Sequence, residues 1–235
     1  MSTITLVITS RDRPSFLVET IKSILNQTIK PDEFIVSDDS VFSEIEIKKI
    51  EKKFPNVNFI YRGGVLTHPD HVYIIFKECK TDLLTICGDD DILNKNYIEE
   101  ILIAKEKFNQ SSAYGVNGRS LINEKLGKKL MWKSSKDYLI IDPLTLLKRW
   151  IDVDLGGVPA VLGYTFNMHI CKPAIDSNKP DLLKGGDYWD TLFFYNFCRI
   201  RNIIWINKDL IQYRIHKGSI SSRSMFGYKI FIVYL

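Results

Sequence analysis

Three consecutive carboxylates, Asp89-Asp90-Asp91, follow the apolar run Leu83-Leu84-Thr85-Ile86-Cys87 with only Gly88 between. Adjacent carboxylates repel and gain nothing from apolar burial. Dense negative charge at the end of a buried strand suits a hard divalent cation, which takes oxygen ligands. A solvated Asp-rich turn capping the next helix has the same local pattern, so the neighbouring segments must decide. Other reactive groups stand at similar junctions. Thr9-Ser10-Arg11 ends the run Ile4-Thr5-Leu6-Val7-Ile8, Asp38-Asp39 follows Phe34-Ile35-Val36, and Arg62 follows Val57-Asn58-Phe59-Ile60-Tyr61. Farther on, Asp187 follows Gly185-Gly186, and His216 follows Tyr213-Arg214-Ile215.

Between these junctions the pattern alternates between strand and helix. Pro14 suits a first helical turn, and Leu17, Ile21, Ile24, Leu25 and Thr28 fall at helical spacing before Pro31. A charged helix is expected over 43–54, stopped by Pro55, and another over 71–79. Beyond the acidic run, Tyr97, Ile98, Ile101, Leu102 and Phe108 mark an amphipathic helix, its acids early and its lysines late, matching the macrodipole. Strands alternating with helices predict a largely parallel sheet covered on both faces. Ligands of such sheets sit beyond the carboxyl ends of the strands. The acidic run, Asp38-Asp39, Thr9-Ser10-Arg11 and Arg62 all emerge there, which favours the binding site over the solvated turn.

The chain has 235 residues, enough for one large domain, and no apolar run approaches a membrane span. The amino terminus lacks a signal-peptide pattern, and the four cysteines are scattered, so reduced thiols and a cytoplasmic location are expected. The net charge is +4; residues 199–235 carry seven Lys or Arg against Asp209, which is +6, leaving −2 for the rest. The end is also apolar and aromatic over 225–235, so packing on the domain and peripheral contact with an anionic membrane surface both stay open. The basic residues form no dense patch, which argues against nucleic acid as a partner.

The segments Thr9-Ser10-Arg11, Ser23-Ile24-Leu25, Pro31-Asp32-Glu33-Phe34-Ile35-Val36 and Asp38-Asp39-Ser40 resemble the opening of glycosyltransferase family 2. The resemblance continues through Gly88-Asp89-Asp90-Asp91-Ile92-Leu93, where that family carries its Asp-x-Asp-type metal motif. It extends to Lys184-Gly185-Gly186-Asp187-Tyr188-Trp189, at the place of the catalytic Glu-Asp motif, and to Tyr213-Arg214-Ile215-His216 with Ser219 and Ser221. It implies an α/β, Rossmann-like GT-A fold: a central, mostly parallel sheet flanked by helices, in a single domain with a carboxyl-terminal acceptor-side extension. Residues 1–110 would form the nucleotide-sugar half, and residues 111–235 the acceptor and catalytic-base half.

The implied activity is inverting transfer of a sugar from a nucleotide-diphosphate donor, UDP-linked by preference, to a glycan or lipid-linked acceptor. Surface polysaccharide or glycolipid synthesis at the inner face of a membrane is the implied setting. By the same resemblance Asp187 is the general base, and Thr9, Arg11, Asp38, Asp39, Arg62 and Asp89 contact the nucleotide. Asp90, Asp91 and His216 would hold Mn²⁺ or Mg²⁺, with the division of labour among the three acids open. Arg214 is a further diphosphate candidate, whereas His68 and His71 read as loop and helix-cap residues. Gly186 stands where the family commonly has Glu, so a non-catalytic sugar-nucleotide-binding relative is the alternative. A dehydrogenase is disfavoured because no Gly-x-Gly-x-x-Gly follows the first strand. Residues 111–178 carry little pattern, and the acceptor is not readable from them.

Overall fold

The computed structural model describes residues 2–132, 134–142, 144–145, 163–177 and 201–216. The expected base Asp187, the glycines before it, Trp189, Ser219, Ser221, and the segments 188–198 and 225–235 lie outside the described residues, as does nearly all of the helix expected over 143–150.

The first half follows the sequence pattern closely. Strand β1 (Ile4–Ser10) leads to helix α1 (Pro14–Leu25), β2 (Glu33–Asp38), α2 (Glu44–Lys53), β3 (Asn58–Tyr61), α3 (His68–Glu78) and β4 (Leu83–Gly88). Short β5 (Ile92–Leu93) and α4 (Tyr97–Lys107) follow the acidic loop. Helix α3 begins three residues before the expected start because the Thr67 hydroxyl caps it, accepting from the backbone of Asp70. The second half adds β6 (Ala113–Ile122), β7 (Lys125–Leu126), β8 (Tyr138–Ile141), β9 (Tyr164–Asn167), α5 (Met168–Ser177) and β10 (Ile203–Ile215).

Among the described residues these strands form one sheet ordered β3-β2-β1-β4-β9-β6-β10-β5, with β7 on β6 and β8 on β10. The β3-β2-β1-β4 portion is wholly parallel. Strand β9 then pairs antiparallel with both β4 and β6, while β10 runs parallel to β6 over ten paired positions. The parallel character expected from the alternating pattern therefore belongs to the first half.

Strand residues serve two cores because successive side chains point to opposite faces. Ile4, Leu6 and Ile8 face α1, α2 and α4, packing with Leu17, Ile21, Ile47 and Ile101. Val7, Leu84 and Ile86 face α3 and α5, against Val72, Phe76, Cys171 and Ile175. Burial on both faces is why β1 and β4 read as continuous apolar runs. Cys79, Cys87 and Cys171 are free and buried, and no helix among the described residues is long and apolar enough to cross a membrane.

Candidate functional site

The loops leaving the carboxyl ends of β1, β2 and β4 meet at one edge of the sheet, joined there by the last residues of β10. Side chains link them. The backbone N–H of Arg11 donates to Asp89 Oδ2 (3.1 Å), tying the β1 loop to the acidic loop. The Arg11 guanidinium donates to Asp39 Oδ2 (3.2 Å) and to the carbonyl of Leu66 (2.7 Å). Asp39 also accepts from the backbone N–H groups of Val65 and Leu66, each at 3.1 Å. That turn is possible because Gly63 and Gly64 hold φ of +87° and +73°, the left-handed region glycine enters at no steric cost. Asp39 thus anchors the loop after β3, while Asp38, 2% exposed, accepts from Ser40 and is raised above the usual carboxylate range by burial.

Asp12 completes this frame from an αL position (φ 55°). Its Oδ1 accepts from the backbone N–H groups of Val41 (3.0 Å), Phe42 (2.8 Å) and Ser43 (3.0 Å), capping the entry to α2 from a different loop. Thr9 turns its hydroxyl toward the β4 carbonyl of Cys87 at 3.4 Å.

The acidic run is held from three directions. The Thr20 hydroxyl on α1 lies 2.9 Å from the carbonyl of Asp89 and 2.8 Å from that of Asp91. Arg214, 2% exposed, donates its backbone N–H to Asp91 Oδ1 (3.0 Å) and Nε–H to the Asp90 carbonyl (2.9 Å). Its remaining donors meet Glu124 and Glu19, and its guanidinium lies over Phe16 at 4.7 Å. Arg214 is thereby a structural clamp, with its fork already committed to protein groups, and not the free diphosphate donor considered from sequence. The third holder is Arg13. Its guanidinium bridges Asp89 Oδ1 (2.5 Å) and Asp90 Oδ2 (2.8 Å) and is about one-third exposed. Burial pulls Arg13 down, but the charges of Asp89 and Asp90 outweigh it and hold the guanidinium above its ordinary value.

His216 reaches the same carboxylate from β10, with Nε2 3.0 Å from Asp90 Oδ2 and its ring 4.9 Å from that of Phe16. A carboxylate only accepts, so Nε2 carries the hydrogen here. Burial pushes Asp89 up to about 7 despite Arg13 and the Arg11 N–H, and raises Asp91 well above the carboxylate range. Asp91 Oδ2 is buried with no hydrogen-bond partner.

For a divalent cation the described residues supply part of a shell. Among the described residues no group of three His, Cys, Asp or Glu side chains is arranged as a metal cage. Asp90 and His216 are two suitable donors at one point, and a hard cation bound by one or two carboxylates plus substrate phosphates needs few more. Asp91, expected beside them, points one oxygen at the backbone of β10 instead, and its Oδ2 is buried without a hydrogen-bond partner.

Arg62 departs most from expectation. Its guanidinium forks onto Glu78 at the far end of α3 (2.9 and 2.5 Å), and its Nε–H donates to Ser37 (2.9 Å). The structure therefore does not bring that guanidinium to the acidic loop. The Ser37 hydroxyl, which accepts from Arg62, also lies 2.8 Å from His71 Nε2. Burial depresses His71, and likewise His68, to about 4; the cap of α3 is Thr67, and both histidines lie in the helix's first turn.

Sequence reasoning missed Arg13, Asp12 and Thr20. Arg13 had one signal, a cation at the positive end of the helix that starts at Pro14, unfavourable unless carboxylates hold it there. Asp12 and Thr20 act through contacts remote in sequence and carried none.

The family model described as "Glycosyl transferase family 2" matches residues 5–154, more than half of the chain. No curated protein matches the sequence. Among solved structures, S. aureus TarS is similar over 99% of this chain and 40% of its own, with TM-score 0.66 and 13% identity. S. aureus TarS 1-349 in complex with UDP-GlcNAc is similar over 94% of this chain and 61% of its own, with TM-score 0.68 and 13% identity. The same fragment in complex with UDP gives TM-score 0.64 at 11% identity. The chain thus spans less than two thirds of TarS, and at these identities the likeness is one of fold.

Proposed function

The chain belongs to glycosyltransferase family 2, and on that premise we propose that it moves a sugar from a nucleotide-diphosphate donor to an acceptor hydroxyl, inverting the anomeric carbon. The observation that carries this reading is the junction of Asp90, His216 and Arg13 at the carboxyl edge of the sheet, beside the framed pair Asp38-Asp39. The donor's base and ribose would lie against Asp38 and the loop that Asp39 and Arg11 hold down, its diphosphate over the acidic loop. TarS has been captured with UDP-GlcNAc and with UDP, which supports a UDP-linked donor here.

Transfer would run as a single displacement. Asp187 takes the proton of the acceptor hydroxyl as its oxygen attacks the anomeric carbon, and the bond to the diphosphate oxygen breaks on the opposite face. Asp90 and His216 would hold Mg²⁺ or Mn²⁺, which supplies Lewis-acid stabilisation of the departing diphosphate. For His216 to ligate through Nε2, its hydrogen must move to Nδ1. Asp89 remains bonded to the Arg11 backbone, Thr20 fixes the carbonyls behind the loop, and Arg214 prevents its retreat from β10. The acceptor is a glycan or lipid-linked hydroxyl, consistent with work at the cytoplasmic face of a membrane.

The test is transfer and hydrolysis across a panel of nucleotide sugars, with and without Mn²⁺. Turnover of at least one donor that chelator removes and Mn²⁺ restores supports the reading. No donor turned over with any metal would sink it.

A further inference from the structure

The Arg13 guanidinium and the His216 imidazole both bond the same oxygen, Asp90 Oδ2, at 2.8 and 3.0 Å. Arg13 also holds Asp89 Oδ1 at 2.5 Å, so its fork spans the two acids. We propose that Arg13 is a resident counter-ion that makes divalent-metal binding at Asp90 depend on the donor's diphosphate. The proposal rests on the function assigned above and adds a coupling to it.

A metal arriving alone meets three obstacles. It must displace Arg13 from Asp90, it must shift the His216 hydrogen off Nε2, and among the described residues it finds only two converging protein donors. Displacing Arg13 also strips a cation from Asp89, a fully buried acid. A diphosphate removes two of these obstacles at once, the first and the third. Its oxygens complete the metal's shell, and its remaining negative charge gives the displaced guanidinium a fork-shaped partner of the kind Arg prefers. Arg13 is about one-third exposed, so part of its side chain is open to an arriving anion. Metal and nucleotide therefore raise each other's affinity by one common factor, as linkage requires.

The experiment is Mn²⁺ titration followed by electron paramagnetic resonance, alone and with saturating UDP, GDP or dTDP, on the wild type and four variants. In the wild type, the best nucleotide should tighten Mn²⁺ binding by about tenfold or more. Arg13→Gln should bind Mn²⁺ alone at least about fivefold tighter than wild type, and its coupling to nucleotide should fall by the same factor. Arg13→Lys, which keeps the charge but loses the fork, should fall between. Arg11→Gln removes a nearby cation that sits on Asp39 instead, and in the absence of nucleotide should change Mn²⁺ affinity by less than about twofold. Asp90→Asn should abolish specific Mn²⁺ binding.

Loss of binding in Asp90→Asn with no gain in Arg13→Gln or Arg13→Lys overturns the role of Arg13 alone. Unchanged binding in Asp90→Asn moves the metal elsewhere and overturns the reading beneath it. Equal gains from Arg11→Gln and Arg13→Gln reduce the effect to general charge and also overturn the proposal. If Arg13→Gln does not fold, the Arg13→Lys series decides by the same comparison.

Discussion

Replacing Thr20 by Val tests whether the acidic loop is held from behind, because the swap keeps shape and β-branching while removing one hydroxyl. Thr20 is fully buried on α1, and its Oγ1 lies 2.9 and 2.8 Å from the carbonyls of Asp89 and Asp91. One hydroxyl hydrogen serves one carbonyl at a time, so the two contacts count as a single shared bond. Such a bond contributes about 0.5–1.5 kcal/mol net, and a carbonyl left buried without its donor costs about 1–3 kcal/mol. The two ranges overlap in what they measure, so a loss of about 1.5–3 kcal/mol is expected. In a chain of 235 residues that corresponds to a fall in Tm of about 3–12 °C. Urea unfolding monitored by tryptophan fluorescence should show a lower midpoint with an unchanged slope. The donor KM should rise with kcat nearly unchanged, since the loop is displaced and no reacting group is touched. A loss below about 0.5 kcal/mol with an unaltered donor KM would refute the claim that Thr20 fixes the loop.

Asp187→Asn should lower kcat by about a hundredfold or more while nucleotide affinity stays within about twofold, read by steady-state kinetics beside calorimetry. Gly64→Ala puts a Cβ at a φ of +73°, 3.0 Å from Val41 Cγ2 and 3.1 Å from the Ser40 carbonyl. It should cost about 1–2 kcal/mol and raise the donor KM through the Asp39 loop, both absent if that loop is irrelevant to the nucleotide. His71 titrates at about 4 in the folded protein against 6.5 unfolded, so the folded chain binds fewer protons between those values. The stabilisation from its neutral ring is complete above pH 6.5 and is lost as pH falls toward 4, about 3 kcal/mol at the limit. Urea midpoints measured between pH 7 and pH 4.5 should fall less steeply in His71→Gln than in the wild type; parallel slopes would exclude His71 as a source of acid sensitivity.

Legibility from sequence followed burial. Strands β1 and β4 are covered on both faces, so their residues form continuous apolar runs bounded by polar junctions, and the helices between them show one apolar stripe each. Strands β8 and β9 are four residues long and owe their pairing to partners far along the chain. No local pattern announces such strands. The same division holds in the site. Asp38, Asp39, Asp90 and His216 stand at element ends where the sheet's geometry gathers side chains, so position in the pattern was enough to place them at one edge. The destination of a long side chain is another matter. Arg62 and Arg13 both sit at a junction, yet one turns down the sheet to Glu78 and the other across the cleft to Asp90, and only the packed neighbours decide which.

Strand β10 pairs with β6, some ninety residues earlier in the chain, and delivers Arg214 and His216 to a loop more than 120 residues behind them. During synthesis the β3-β2-β1-β4 sheet, with Asp38 and Asp39, can assemble while β10 is still inside the ribosome. The acidic loop cannot be finished then, since its clamp and its imidazole are the last described residues to emerge. Until they dock, Arg13 is the cation that the described residues place on Asp89 and Asp90, and limited proteolysis of stalled chains should find the loop cut before residue 214 appears and protected afterwards. On the function proposed above, the carboxylates that frame the nucleotide would be placed early, and the acidic loop would be completed only once residues 214 and 216 have emerged.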